Sequence, residues 1–377
     1  MVKNKYFLRG AVVLFIVAVM IFSSVAVANT KSKTQLELFG TGHGTGPSTK
    51  ANVIWDNGMH YDSLVACQWD ALMNFDAIAA DDFQFEETTD VTDVHWIGGY
   101  WNPGEDGDFD WNVSFYTDRG DGNAPGTKIF EQVFPNADVH ETFIEEIDGD
   151  WYYSYSVDFI DPITFTGGEK YWVSLQGVGG FPPQSHWSGH GLLYVLHEAV
   201  FQSDYFGYPD WVDITEIMDG PGDGCFQLTG EGDPVVADLD CDGELRWEDV
   251  PPGGTLVNGT FSVINSGDFG SMLEWKAVFP EDWGKNWTLN WTFYEDGGFV
   301  GSSHPEEVYI EVTAPLDTGK YSGEILLVNQ DNNEDTCSIS VYCKVPRTRE
   351  ITYSPLQKLF QKFPNLLPIL RQLFDLV

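Results

Sequence analysis

The densest set of hard oxygen donors in the chain is Asp238 to Asp249, which reads Asp-Leu-Asp-Cys-Asp-Gly-Glu-Leu-Arg-Trp-Glu-Asp. Carboxylates at relative positions 1, 3, 5 and 12, glycine at 6 and an apolar residue at 8 follow the spacing of an EF-hand calcium loop. Asp238, Asp240, Asp242 and Asp249 are the expected metal ligands and Ca2+ the expected ion, because a hard cation prefers carboxylates around a glycine-permitted turn. Pro251-Pro252, directly after the last ligand, forbids the exit helix. The same residues also read as a strand, with Leu245 and Trp247 pointing inward and the aspartates forming an acidic linker. Both readings stand.

Other groupings carry less chemistry. Asp118-Arg-Gly-Asp121-Gly-Asn123 offers oxygen donors, but Asp, Gly and Asn are also what a turn requires. His186 and His190 have the i, i+4 spacing of helical zinc ligands, with His197 nearby, yet Gly189, Gly191 and neighbouring prolines oppose a helix there. No nucleophile elbow, P-loop or dinucleotide fingerprint occurs, and choosing a catalytic pair among 58 acidic residues would be arbitrary. The aromatic-rich segment Phe181 to Gly224 reads as an irregular insertion and supplies Trp187, Tyr205, Tyr208 and Trp211 as the expected ligand-binding faces. The plainer reading is that these rings cover one end of a core.

Composition narrows the setting. Lys3, Lys5 and Arg9 precede an apolar run from Ala11 to Phe22 and a small-residue site ending Ala26-Val27-Ala28, the layout of a secretory signal peptide, with a retained N-terminal membrane anchor as the alternative. The formal net charge of −39 argues against nucleic acid as a partner, because a polyanion is repelled. Aromatics at 15% argue against an acidic disordered chain. Export permits disulfides among Cys67, Cys225, Cys241, Cys337 and Cys343. The expected pairs are Cys67 with Cys225, and Cys241 with either Cys337 or Cys343. Sequons at Asn112, Asn258, Asn286 and Asn290 are expected glycan acceptors.

The elements that must position these groups are strands. No sustained helical period runs through the central chain; short alternating segments rich in Val, Ile, Phe, Tyr and Trp recur between Gly, Asp, Asn and Pro clusters. In Trp111 to Thr117, Trp111, Val113, Phe115 and Thr117 share one side. The expectation is an all-β chain: signal peptide 1–28, flexible leader 29–50, a jelly-roll-like β-sandwich 51–231, an immunoglobulin-like β-sandwich 232–346, and a linker with an amphipathic helical tail 347–377. In the tail Leu356, Leu359, Phe360, Phe363, Leu366 and Leu367 recur at helical spacing, fitting a docked helix, a membrane-surface contact or a sorting segment.

The phrases Ala80-Asp-Asp-Phe83, Thr92-Asp-Val-His-Trp96, Glu169-Lys-Tyr-Trp172, Asp238 to Trp247 and Gly259 to Gly267 resemble secreted archaeal proteins in which a jelly-roll-like module precedes an immunoglobulin-like one. The acidic loop itself resembles a dockerin calcium repeat, present in one copy. The resemblance implies architecture and location. The expected function is a secreted or cell-envelope binding, adhesion or structural protein without catalysis, with glycans or other envelope proteins as partners. The alternative is a calcium-assisted carbohydrate-binding module or a hydrolase of extracellular polymers.

Overall fold

The computed structural model describes residues 39–45, 52–101, 108–190, 195–217, 222–281, 283–290, 296–302 and 304–347. The expected signal segment and the helix expected over 354–377 lie outside them. The chain divides into two compact units, Met1–Val235 and Val236–Val377. Both are built from strands.

The first unit contributes β1 (Phe39–Thr45), β2 (Val53–Asp56), β3 (His60–Ala66), β4 (Gln68–Asp70), β5 (Phe75–Gln84), β6 (Thr89–Trp101), β7 (Asp110–Asp118) and β8 (Pro125–Phe134). It continues with β9 (His140–Ile147), β10 (Asp150–Phe165), β11 (Lys170–Val178), β12 (Gln184–His190), β13 (Val200–Ser203), β14 (Tyr208–Asp213), β15 (Asp223–Gly224) and β16 (Phe226–Gly230). One sheet runs β1-β3-β12-β6-β10-β9, with β15 beside β12 and β16 joining β2 to β6; the other runs β14-β13-β5-β4-β11-β7-β8.

Alternation decides which residues meet between these sheets. Trp96 of β6 lies 5.2 Å from Trp111 of β7 and stacks on Tyr155 of β10. Phe165 of β10 lies 5.0 Å from Phe83 of β5 and 5.1 Å from Phe115 of β7. This aromatic seam is the core of a two-sheet sandwich; each such pair adds about 0.5–1.5 kcal/mol beyond its burial. At Gly99 a Cβ would come within 1.7 Å of the Trp151 carbonyl oxygen, so only glycine lets β6 and β10 approach there.

Two expectations need correction. Residues 39–45 of the expected leader form β1, paired antiparallel with β3 from Phe39 opposite Val65 to Thr45 opposite His60. The glycine-rich Phe39-Gly-Thr-Gly-His-Gly-Thr shows no apolar alternation, and its backbone pairing is what identifies it as a strand. The segment Phe181 to Gly224 is not wholly an irregular insertion: β12 lies inside the larger sheet, paired with β3, β6 and β15. Its polar spelling, Gln-Ser-His-Trp-Ser-Gly-His, hides a strand that is buried along most of its length.

The second unit comprises β17 (Leu239–Asp242), β18 (Glu244–Trp247), β19 (Leu256–Asn265), β20 (Met272–Val278), β21 (Lys285–Asn290), β22 (Gly297–Gly301), β23 (Glu306–Thr313), β24 (Gly319–Asn329) and β25 (Thr336–Val345). Its sheets run β17-β19-β23-β21 and β18-β25-β24-β20-β22. Phe261, Val263, Trp275, Ile310, Leu327 and Val341 fill the core.

The acidic stretch therefore resolves into two strands. β17 pairs antiparallel with β19 in one sheet, and β18 pairs parallel with β25 in the other. Gly243, at φ +127°, is the hinge between them, a conformation that a side chain would strain. Leu245 points into the core, 2% exposed.

Cys241 on β17 is disulfide-bonded to Cys337 on β25, which decides between the two partners that the sequence left open. The expected Cys67–Cys225 bond is not formed: both are buried and outside any disulfide, as is Cys343. The Cys225 thiol donates to the His60 carbonyl oxygen at 2.6 Å, and the Cys67 sulfur accepts from the Ala79 amide at 3.4 Å. Burial pushes the Cys67 thiol up to about 12, which makes it a poor nucleophile. The Cys241–Cys337 bond closes a loop of 96 residues in the unfolded chain. Replacing both cysteines with serine should therefore lower the stability of the second unit by about 2–5 kcal/mol. Denaturant unfolding should show this, with the transition of the first unit unmoved.

Candidate functional site

The outer face of the seven-stranded sheet follows from the inner one. Because Trp111, Val113 and Phe115 of β7 enter the core, Asn112, Ser114 and Tyr116 leave it on the other side. On β11, Val173 and Leu175 are internal, so Trp172, Ser174 and Gln176 face out. The register sets Trp172 opposite Tyr116, Ser174 opposite Ser114 and Gln176 opposite Asn112. β4 then inserts between β5 and β11, placing Trp69 opposite Asp76.

These residues other than Trp172 line a cleft of about 270 Å³, bounded by Trp69 and Val178 and by Lys128, Glu131 and Val133 of β8. It lies just below the roughly 300 Å³ at which small-molecule sites begin, so it suits a single small unit or the end of a chain. Gln176 Nε2 donates to Asp76 Oδ1 at 2.8 Å and to the Ala77 carbonyl at 3.0 Å. Asn112 Nδ2 donates to Glu131 Oε1 at 3.3 Å. Lys128 pairs with Glu131, holding that carboxyl below the usual range, and its ammonium lies 5.5 Å from the centroid of Tyr116. Asn112 Oδ1 and Ser174 Oγ are buried and have no hydrogen-bond partner among the described residues. Trp69 remains 45% exposed. The cleft thus combines an open aromatic face with amide, carboxylate and hydroxyl groups that have capacity to spare.

The aromatic residues expected from sequence fall in different places. Trp187 is 1% exposed and its indole N–H donates to the Cys225 carbonyl, so it is a core residue and not a binding face. Tyr205 is 52% exposed but lies edge-on to Phe75 and Phe206. Tyr208 packs against Phe201. Trp211, on the β13–β14 hairpin that extends the sheet beyond β5, meets Tyr116 edge-on at 6.2 Å and so supports one end of the outer face. Trp69, Asp76, Ser174, Gln176, Lys128 and Glu131 were missed. For Ser174 and Gln176 the signal was present: the polar half of the alternation in β11.

The expected calcium ligands are all exposed. Ser266 donates to Asp238 Oδ2 at 3.1 Å, Asp240 Oδ1 accepts from the Cys241 amide at 2.8 Å, and Asp249 pairs with Lys344 at 3.4 Å. Among the described residues no group of three or more His, Cys, Asp or Glu side chains is gathered as a metal site. Asp118 spends its oxygens within its own turn and on Trp172, accepting from the Gly120 and Gly122 amides and from the indole N–H. His186 and His190 lie on a strand, not a helix; burial pushes them down to about 3 and about 4, and they are neutral. His190 stacks on His60 at 4.4 Å and bonds the Asn57 carbonyl.

The sequons differ in setting. The Asn112 amide nitrogen, where a glycan would be attached, is bonded to Glu131 in the cleft. Asn258 and Asn286 are exposed, and Asn290 lies on β21 with its side chain outside the described residues.

A second polar cluster is internal. Asp81 accepts from Asn57 Nδ2 at 2.8 Å, from the Gly224 amide at 2.6 Å and from the Asp82 amide at 2.8 Å. Asp82 pairs with Lys170, and Asp223 Oδ2 accepts from the Val195 amide at 2.8 Å while its other oxygen has no partner among the described residues. Burial raises all three carboxyls; repulsion by Asp82 adds to this at Asp81, and repulsion by Asp81 and Asp82 adds to it at Asp223. Burial carries Asp82 up to about 6 against the pull of Lys170. A carboxyl with a raised folded value stabilises the fold below its unfolded value of about 3.9, and that stability is lost as pH rises through the folded value. Asp223→Asn keeps the acceptor for Val195 and removes one charge. It should raise the stability of the first unit at pH 8 more than at pH 4 and flatten its pH dependence, as read by urea unfolding.

No protein-family model matches the sequence, and no curated protein is similar to it.

Proposed function

We propose that the chain is an extracellular or cell-envelope binding protein without catalytic activity, whose first unit, a jelly-roll-like sandwich, holds a saccharide on the outer face of its seven-stranded sheet. The second unit is read as an immunoglobulin-like spacer. The observation that carries the proposal is the pairing, in one cleft, of the open Trp69 ring with the unpartnered Asn112 Oδ1 and Ser174 Oγ. A sugar ring has an apolar C–H face that packs on an aromatic ring and a rim of hydroxyls that both donate and accept hydrogen bonds. Asp76, Gln176, Asn112 and Glu131 offer planar oxygen and nitrogen groups of the kind that read such a rim, and the large negative charge supports solubility outside the cell.

Location rests on the signal-like N-terminus and on the acidic composition. Calcium is not needed for the proposed contact, which uses side-chain donors and acceptors alone.

Binding of the full chain to a panel of neutral and charged oligosaccharides, measured by calorimetry, tests the proposal. Trp69→Ala should weaken the best ligand at least about tenfold, as loss of one stacked aromatic commonly does. Tyr205→Ala, on the separate β13–β14 hairpin, should leave binding unchanged. Equal binding by wild type and Trp69→Ala, or loss with Tyr205→Ala alone, would move the site to the hairpin.

A further inference from the structure

The two sides of the cleft are not equivalent electrically. On the β8 side Glu131 is already matched by Lys128. On the β4 side Asp76 is exposed, has no ion pair among the described residues, and uses one oxygen as the acceptor for Gln176 Nε2. Its cross-strand partner is Trp69. Directly opposed residues of an antiparallel pair hold their Cβ atoms about 4.5–5.5 Å apart, so the carboxylate and the indole stand side by side at the cleft wall. No ring contact of Trp69 with another aromatic is found among the described residues, and its face is open at 45% exposure.

An aromatic face beside an unmatched carboxylate is a recognition element for an ammonium group: the ring quadrupole attracts the cation, and the carboxylate supplies the counter-charge. Resting on the saccharide reading above, we infer that the cleft selects a saccharide bearing a free amine, an amino sugar, with its ammonium held between Trp69 and Asp76. The remaining hydroxyls then face Gln176, Ser174 and Asn112 on the floor. A uronic or sulfated sugar would instead bring a negative charge against Asp76 in a chain that already carries −39.

Calorimetric titration of the full chain with short glucosamine oligomers, their N-acetylated counterparts and cello-oligomers of equal length, at mildly acidic pH, separates the possibilities. The free-amine oligomer should bind about tenfold more tightly than either neutral one, the combined scale of a cation–π contact and a partly exposed ion pair. Asp76→Asn preserves the acceptor for Gln176 and should abolish this preference, so that the free-amine oligomer binds no more tightly than the neutral ones. Trp69→Ala should weaken all three. Equal affinities for amine and neutral oligomers would overturn the inference and leave the saccharide reading standing. A preference that survives Asp76→Asn would also overturn it, because that is unspecific attraction of a polycation to an acidic protein. Failure of every oligosaccharide to bind would remove the saccharide reading itself.

Discussion

Every second side chain of Asp110–Asp118 and Lys170–Val178 has to leave the core, and the cleft is made of those that do. The constraint comes from the inside. Trp111 is fixed by Trp96 and Tyr155, and Phe115 by Phe83 and Phe165, so neither strand can slip by one residue without turning an aromatic seam toward water. The register locked by those rings also places Gln176 across from Asn112 and Ser174 across from Ser114. The floor of the cleft is therefore held in register by the core beneath it, so ordering a ligand against Asn112, Ser174 and Gln176 costs little side-chain entropy on the protein side.

The alternating strands were the most legible part of the sequence. Thr336–Val345, Glu306–Thr313 and the expected segment Trp111 to Thr117 all lie in strands that alternate along their length. Each has one apolar face. What was not legible were strands whose spelling shows no apolar alternation. Phe39–Thr45 is spelled in glycine and threonine, and Gln184–His190 is spelled in polar residues although it is interior. The acidic stretch shows a different limit. Its ligand spacing and its strand alternation coincide at every second residue, and only Gly243 and the partners of Leu239 and Leu245 separate a coordination loop from a change of sheet. The cleft was half legible, since the alternation of Asn112, Ser114 and Tyr116 was in the text, whereas the insertion of Gln68–Asp70 between β5 and β11 was not.

Burying Asp81, Asp82 and Asp223 together runs against ordinary preference, since an unmatched internal charge is costly. Asp81 ties Asn57 and Gly224 to β5, and Asp223 ties Val195 to β15, segments distant in sequence. A buried polar network of this kind costs stability at neutral pH and in return joins separate backbone segments through directional bonds. Lys170 supplies one matching charge, and the buried histidines, being neutral, supply none.

The bond between Cys241 and Cys337 joins the first strand of the second unit to its last. Under mechanical tension between residues 236 and 347, the pull would enter at β17, cross the sulfur bridge and leave along β25. The residues between the two cysteines would lie off the line of force. Detaching β17 or β25 from its neighbours could not unravel the interior, because extension beyond the bridge requires a covalent bond to break. A unit wired in this way has a fixed contour length under load.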